Sequence, residues 1–66
     1  MEMYVVELGN VTADGFQMME KQSVLASGLE AGKKRAVDVL KTRGVQLGCR
    51  RLQMVDGAGK MIFEYP

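Results

Sequence analysis

The 66-residue chain predicts an α+β domain of ββαββ order, in which a four-stranded antiparallel sheet is packed on one face by a single helix. Three observations lead there. One segment, at about residues 28–43, has helical periodicity. The segments on either side of it are rich in β-branched, aromatic or alternating apolar residues. Turn-forming sequences, Ala13-Asp14-Gly15 and Asp56-Gly57-Ala58-Gly59, divide each flanking region into two. A lone amphipathic helix has only a sheet face against which to bury its apolar side.

The first strand covers Met3 to Leu8, with Tyr4, Val6 and Leu8 on one face and Met3, Val5 and Glu7 on the other. Gly9-Asn10 breaks the pattern. The second strand is expected from Phe16 to about Val24, although the adjacent Met18 and Met19 interrupt its alternation. A bulge at Gly9-Asn10 would change the faces taken by Val11 and Phe16. In the helix, Ser27 and Glu30 have the spacing of a capping box, and Gly44 is placed to supply a left-handed stop. Leu29, Gly32, Ala36, Val39 and Leu40 form the inward face, with Val37 at its margin. Glu30 and Lys34 are spaced as an i,i+4 ion pair. Gly32 on that inward face allows the backbone to approach the sheet, so Gly32→Leu is expected to be harmful.

Cys49 to Val55 forms the third strand and Met61 to Tyr65 the fourth. Taking residues 56–59 as a four-residue loop pairs Val55 with Lys60, Met54 with Met61, Leu52 with Phe63 and Arg51 with Glu64. Leu52, Met54, Met61, Phe63 and Tyr65 then share the core face. Met3, Val5, Val55 and Ile62, with one of Met18 and Met19, fall on the face left uncovered by the helix. That surface is apolar enough to suggest sheet-to-sheet self-association, or strand addition along an exposed edge.

Composition fits one domain spanning residues 1–66, near the lower size limit for folding without disulfides or metals. An apolar share of 47% and a charged share of 26% argue against disorder. Cys49 is the lone cysteine and histidine is absent, so neither an intramolecular disulfide nor a Cys/His zinc site is available. A reduced lone thiol and the lack of a signal-type or membrane-spanning apolar run lead to the expectation of a cytoplasmic protein without membrane contact.

Catalytic equipment is not visible, and no cofactor is expected. Gly28-Leu-Glu-Ala-Gly-Lys-Lys departs from a phosphate-binding loop in glycine spacing and in lacking a following Ser or Thr. Cys49 and the serines have no histidine base, and no carboxylate stands at a telling distance from them. We therefore expect a non-enzyme. The informative feature is charge: residues 33–51 contain Lys33, Lys34, Arg35, Lys41, Arg43, Arg50 and Arg51 against Asp38 alone. Lys41 and Arg43 also complement the helix dipole. Lys33, Lys34, Arg35, Lys41, Arg50 and Arg51 form a candidate binding patch for an acidic protein or for nucleic acid.

The run Ala26-Ser27-Gly28-Leu29-Glu30-Ala31, the alanine-bearing helix and the closing Val55-to-Lys60 hairpin resemble several small bacterial and phage families of this layout. The layout is also similar to that of some phage anti-CRISPR proteins that inhibit type I surveillance complexes. That resemblance implies a small domain that occupies a protein surface normally used for nucleic acid. The expected function is a non-catalytic protein-interaction module, homo-oligomeric and of phage or mobile-element type. The alternative is a small RNA- or DNA-binding domain using the basic segment 33–51.

Overall fold

A computed structural model describes residues 1–66 and has the expected ββαββ architecture. Strands β1 (Glu2–Thr12) and β2 (Gly15–Ala26) precede helix α1, which runs over residues 29–47; β3 (Arg51–Val55) and β4 (Met61–Tyr65) follow. All pairings are antiparallel and the order across the sheet is β2-β1-β3-β4. The chain's first and third strands are thus the central pair.

Alternation along β1 and β3 sends Tyr4, Val6, Leu8, Leu52 and Met54 into the core, where they meet Val24 and Ala26 of β2 and Ala36 and Leu40 of α1. Cys49, just ahead of β3, completes this cluster as a small buried thiol. The core contains no buried polar or charged residue. Six methionines in the sequence imply a soft core or a soft apolar surface, and the second is what forms: only Met54 is buried, while Met3, Met18, Met19 and Met61 are exposed.

β1 does not stop at Gly9-Asn10. It continues to Thr12, and β2 is correspondingly longer at both ends than the Phe16-to-Val24 expectation. The hairpin closes with Thr12 opposite Gly15, whose φ of 106° is a conformation open to glycine. A bulge accounts for the mismatched alternation. Leu8 pairs with Glu20 but Gly9 pairs with Met18, leaving Met19 as the extra residue. Beyond it β1 and β2 form a two-stranded arm, because β3 reaches only as far as Gly9. Asn10 ties the base of this arm to the rest of the molecule: its side-chain amide donates to the Gly48 carbonyl at 3.2 Å, and its oxygen accepts the Arg50 amide at 2.9 Å.

The helix differs from expectation at both ends. Gly28 is the N-cap and no side chain caps the first turn, so the capping box of Ser27 and Glu30 does not form. Glu30 instead pairs with Lys33, at 3.4 Å, in place of Lys34. At the other end Gly44 has right-handed helical angles, and the chain passes through a π-helical turn, Leu40–Gly44, before ending at Leu47. Gly48, with φ 76°, is the left-handed stop. The Cys49 amide donates to the Gly44 carbonyl at 2.7 Å and the Gly48 amide to Val45 at 3.2 Å, the two bonds of a Schellman motif.

Gly32, Ala36, Leu40 and Gly44 are the buried positions of the helix. Leu29, expected on this face, is 41% exposed at the first position of the helix. A strict four-residue spacing drifts around an ordinary α-helix, and the wider π turn offsets that drift. A Cβ at Gly32 would lie 3.1 Å from the Tyr4 ring. Gly32→Leu is therefore expected to force helix and sheet apart, costing about 1 to 3 kcal/mol by overpacking, as read from the urea midpoint.

The β3–β4 hairpin keeps the expected parity but not the expected register. Leu52 faces Tyr65, Gln53 faces Glu64 and Met54 faces Phe63, a shift of two residues from the four-residue-loop pairing. The loop is longer because Asp56 organises it, its carboxylate accepting the amides of Ala58 at 2.9 Å and Lys60 at 3.0 Å. A second bulge then pairs Val55 with Met61 and leaves Ile62 unpaired. Ile62 consequently packs against the core cluster, while Met61 is exposed. The assignment of Ile62 to the uncovered sheet face is thereby corrected.

Candidate functional site

The helix packs more closely on β2 than on β4. This offset decides what the molecule shows to solvent. On the β2 side the gap is closed by a polar staple in which Arg43 Nε and Nη2 donate to the two Glu20 carboxylate oxygens, each at 3.0 Å. Gln22 donates to the same carboxylate at 3.1 Å, and Arg43 also donates to Gln46 at 3.2 Å. Bidentate pairing gives this contact a fixed geometry that a single surface ion pair lacks.

The Arg43 hydrogen bonds, followed by that from Gln22, hold the Glu20 carboxyl below its ordinary range. The staple therefore contributes fully above the ordinary value of 4.5 and is lost as pH falls through the lowered value. Glu20→Gln is expected to lower the urea midpoint at pH 7. That difference from the parent chain should begin to shrink below the ordinary carboxylate value and close once the pH is below the lowered one, and equal deficits in neutral and strongly acidic urea titrations would contradict the assignment.

On the β4 side nothing closes the gap. Phe63, which packs against the edge of the core cluster, and Tyr65, expected in the core but exposed, line an open groove of about 540 Å³ together with Lys33, Lys34, Val37 and Asp38. Phe63 is half-buried, and Tyr65 is 37% exposed. Their ring centroids are 6.4 Å apart, and Lys33 Nζ stands 5.3 Å from the centre of the Phe63 ring, within cation–π range. Alternation along β4 identifies the face of both rings but not whether the helix extends over them.

The six basic candidates do not form one patch. Lys33 and Lys34 border the aromatic groove. Arg35 borders a polar hollow on the opposite side of the helix, beside Gln22, Ser23 and Val24. Lys41 is exposed further along α1. Arg50 and Arg51 lie beside Asn10, Val11 and Pro66 at the end of the sheet. Arg51 is occupied there by Glu64, at 3.0 Å, which bears out the expected neighbourhood although the contact is diagonal across the strands.

The uncovered face of the sheet is divided into two zones. Met3 lies beside Leu25, and Val5 beside Val55, which in turn faces Met61. Met3 is 56% exposed, and Leu25 and Met61 are each 47% exposed. The next row is polar, with Lys21 opposite Glu7, Glu7 opposite Gln53 and Gln53 opposite Glu64. Met3, Val5 and Val55 are therefore placed together as expected. Leu25 and Met61 join them, positions that the longer β2 and the β4 bulge bring to this face.

No helix of the chain is long and apolar enough to cross a membrane. Fold and surfaces together define a small α+β protein with an aromatic–lysine groove on one side of its sheet and an apolar zone on the other. Comparison of the chain with family models, curated proteins and solved structures finds no match.

Proposed function

We propose that this protein is a non-catalytic, cytoplasmic interaction module that self-associates through its uncovered sheet face and acts by occupying the surface of a partner protein. The observation that carries this reading is the contiguous apolar zone of Met3, Val5, Leu25, Val55 and Met61. A small phage or mobile-element inhibitor is the biological setting that suits such a module, and the chain's layout supports that choice.

Geometry supports a second copy as the occupant of the apolar zone. A two-fold axis parallel to the strands lays β2 over β4 and β1 over β3. Val5 then meets Val55 of the partner subunit, and Lys21 is directed toward Glu64 of the partner subunit. A standard interface takes about 800 Å² from each partner, roughly a fifth of the 4297 Å² of surface, so the whole face is engaged. Light scattering coupled to size exclusion should show a dimer whose population rises with concentration. Val5→Lys is expected to give a folded monomer, and a parent chain that stays monomeric at about millimolar concentration defeats the reading.

The second reading is a small RNA- or DNA-binding domain, favoured by one observation, the placing of Phe63 and Tyr65 beside Lys33 and Lys34. Bases stack on such rings while lysines meet the phosphates. Gel shifts with mixed-sequence oligonucleotides test it, since binding of this kind must weaken steeply with salt.

A further inference from the structure

We infer that the groove between α1 and β4 binds an extended acidic peptide of the partner protein, which adds to the sheet as a fifth strand alongside β4. The inference rests on the protein-interaction reading and assigns that interaction a site and a chemistry.

β4 is an edge strand, paired only with β3. Alternate residues of an edge strand direct unpaired N–H and C=O groups outward, and these template the addition of another chain. The opposite edge, β2, is longer, but beside it the helix is stapled down by Arg43 and Glu20, and the adjoining hollow is polar. Beside β4 the helix stands off, and Val37, Phe63 and Tyr65 offer apolar surface. A strand placed about 4.8 Å beyond β4 would send every second side chain into this groove.

Charge selects among extended peptides. Lys33 and Lys34 border the groove against one carboxylate, Asp38. Lys33 is shared with Glu30 at 3.4 Å, whereas Lys34 is exposed and forms no ion pair within 4.0 Å. A peptide with apolar residues at alternate positions and glutamates flanking them satisfies the rings, the edge and the unpaired Lys34 ammonium together. Nucleic acid would use the rings and lysines but leave the strand edge unpaired.

The test is an NMR titration of the full chain with short synthetic peptides of that alternating pattern, flanked either by glutamates or by lysines. The acidic peptide should shift the amides of Met61–Tyr65 and of Lys33, Lys34 and Val37. Methylating the peptide nitrogens that face β4 should abolish binding, and methylating the others should not. Lys34→Glu, at an exposed position, should weaken the acidic peptide roughly fivefold while leaving the spectrum of the free protein folded. Equal binding of both methylated peptides, shifts confined to other surfaces, or no binding at about 1 mM overturns the inference. In those cases a concentration-dependent dimer would still support the interaction module. Binding of oligothymidylate in place of the peptide, at the same residues, would overturn the peptide site and favour the nucleic-acid reading.

Discussion

Gly9→Ala is expected to destabilise the protein by about 2 to 4 kcal/mol, because the added methyl group has nowhere to go. A Cβ at Gly9 would fall inside contact distance of the Gln17 carbonyl oxygen, 2.8 Å from the Gln17 carbonyl carbon and 2.9 Å from the tip of the Phe16 ring. Ring and methyl could share space by rotation, but the Gln17 backbone belongs to the β1–β2 ladder. Relief therefore requires the strands to separate where the bulge brings them close. Removing the Phe16 ring as well, in a Gly9→Ala, Phe16→Ala double variant, should not restore the urea midpoint. Full recovery would show that the ring, and not the backbone, is what requires glycine here.

Leu52→Ala should be as severe by the opposite route, at about 2 to 5 kcal/mol. Leu52 has no exposed surface, lies opposite Leu8 in the central strand pair, and belongs to the set of fully buried side chains with Val6, Leu8 and Met54. The cavity would open beneath a helix whose contact positions include two glycines, Gly32 and Gly44, which cannot move a side chain in to fill it. A chain of this length has about 3 to 10 kcal/mol of stability in total. Each kcal/mol lost shifts the melting temperature by about 4 to 8 °C at this size. Calorimetry should show a melting point lowered by at least about 8 °C, and a smaller shift would mean that the core relaxes around the missing atoms.

Both substitutions act on features that differ in how plainly the sequence announces them. The face taken by Leu52 follows from alternation alone, because parity survives a register error of two residues. For the same reason Phe63 and Tyr65 remain opposite the core strands although their partners differ from those expected. The requirement at Gly9 is less legible: a glycine beside Asn10 reads as a chain break, whereas its role is to permit close approach at a bulge. The helix end shows the same ambiguity. Gly44 and Gly48 both read as stops by composition, and only Gly48 has the left-handed backbone, while Gly44 is a helical residue buried against the Leu40 side chain. The groove was hidden for a further reason. Periodicity states which way Lys33, Phe63 and Tyr65 point, but where a helix lies across a sheet depends on packing summed over both elements. Here Arg43 and Glu20, distant in sequence, accompany its lean toward β2.

The strand order also carries a consequence for how the chain assembles. Each hairpin joins neighbours in sequence, yet the centre of the sheet joins β1 to β3, with Val5 against Val55, residues near opposite ends of the chain. Two-stranded ribbons of this kind are marginal alone in water, and contacts between distant residues form against a larger loop-closure entropy than local ones. During synthesis the inner edge of β1 stays unpaired until Arg51–Val55 has been made, and Tyr4, Val6 and Leu8 stay uncovered until the helix packs over them. The order of the strands thus favours a single cooperative transition, in which neither hairpin persists without the other.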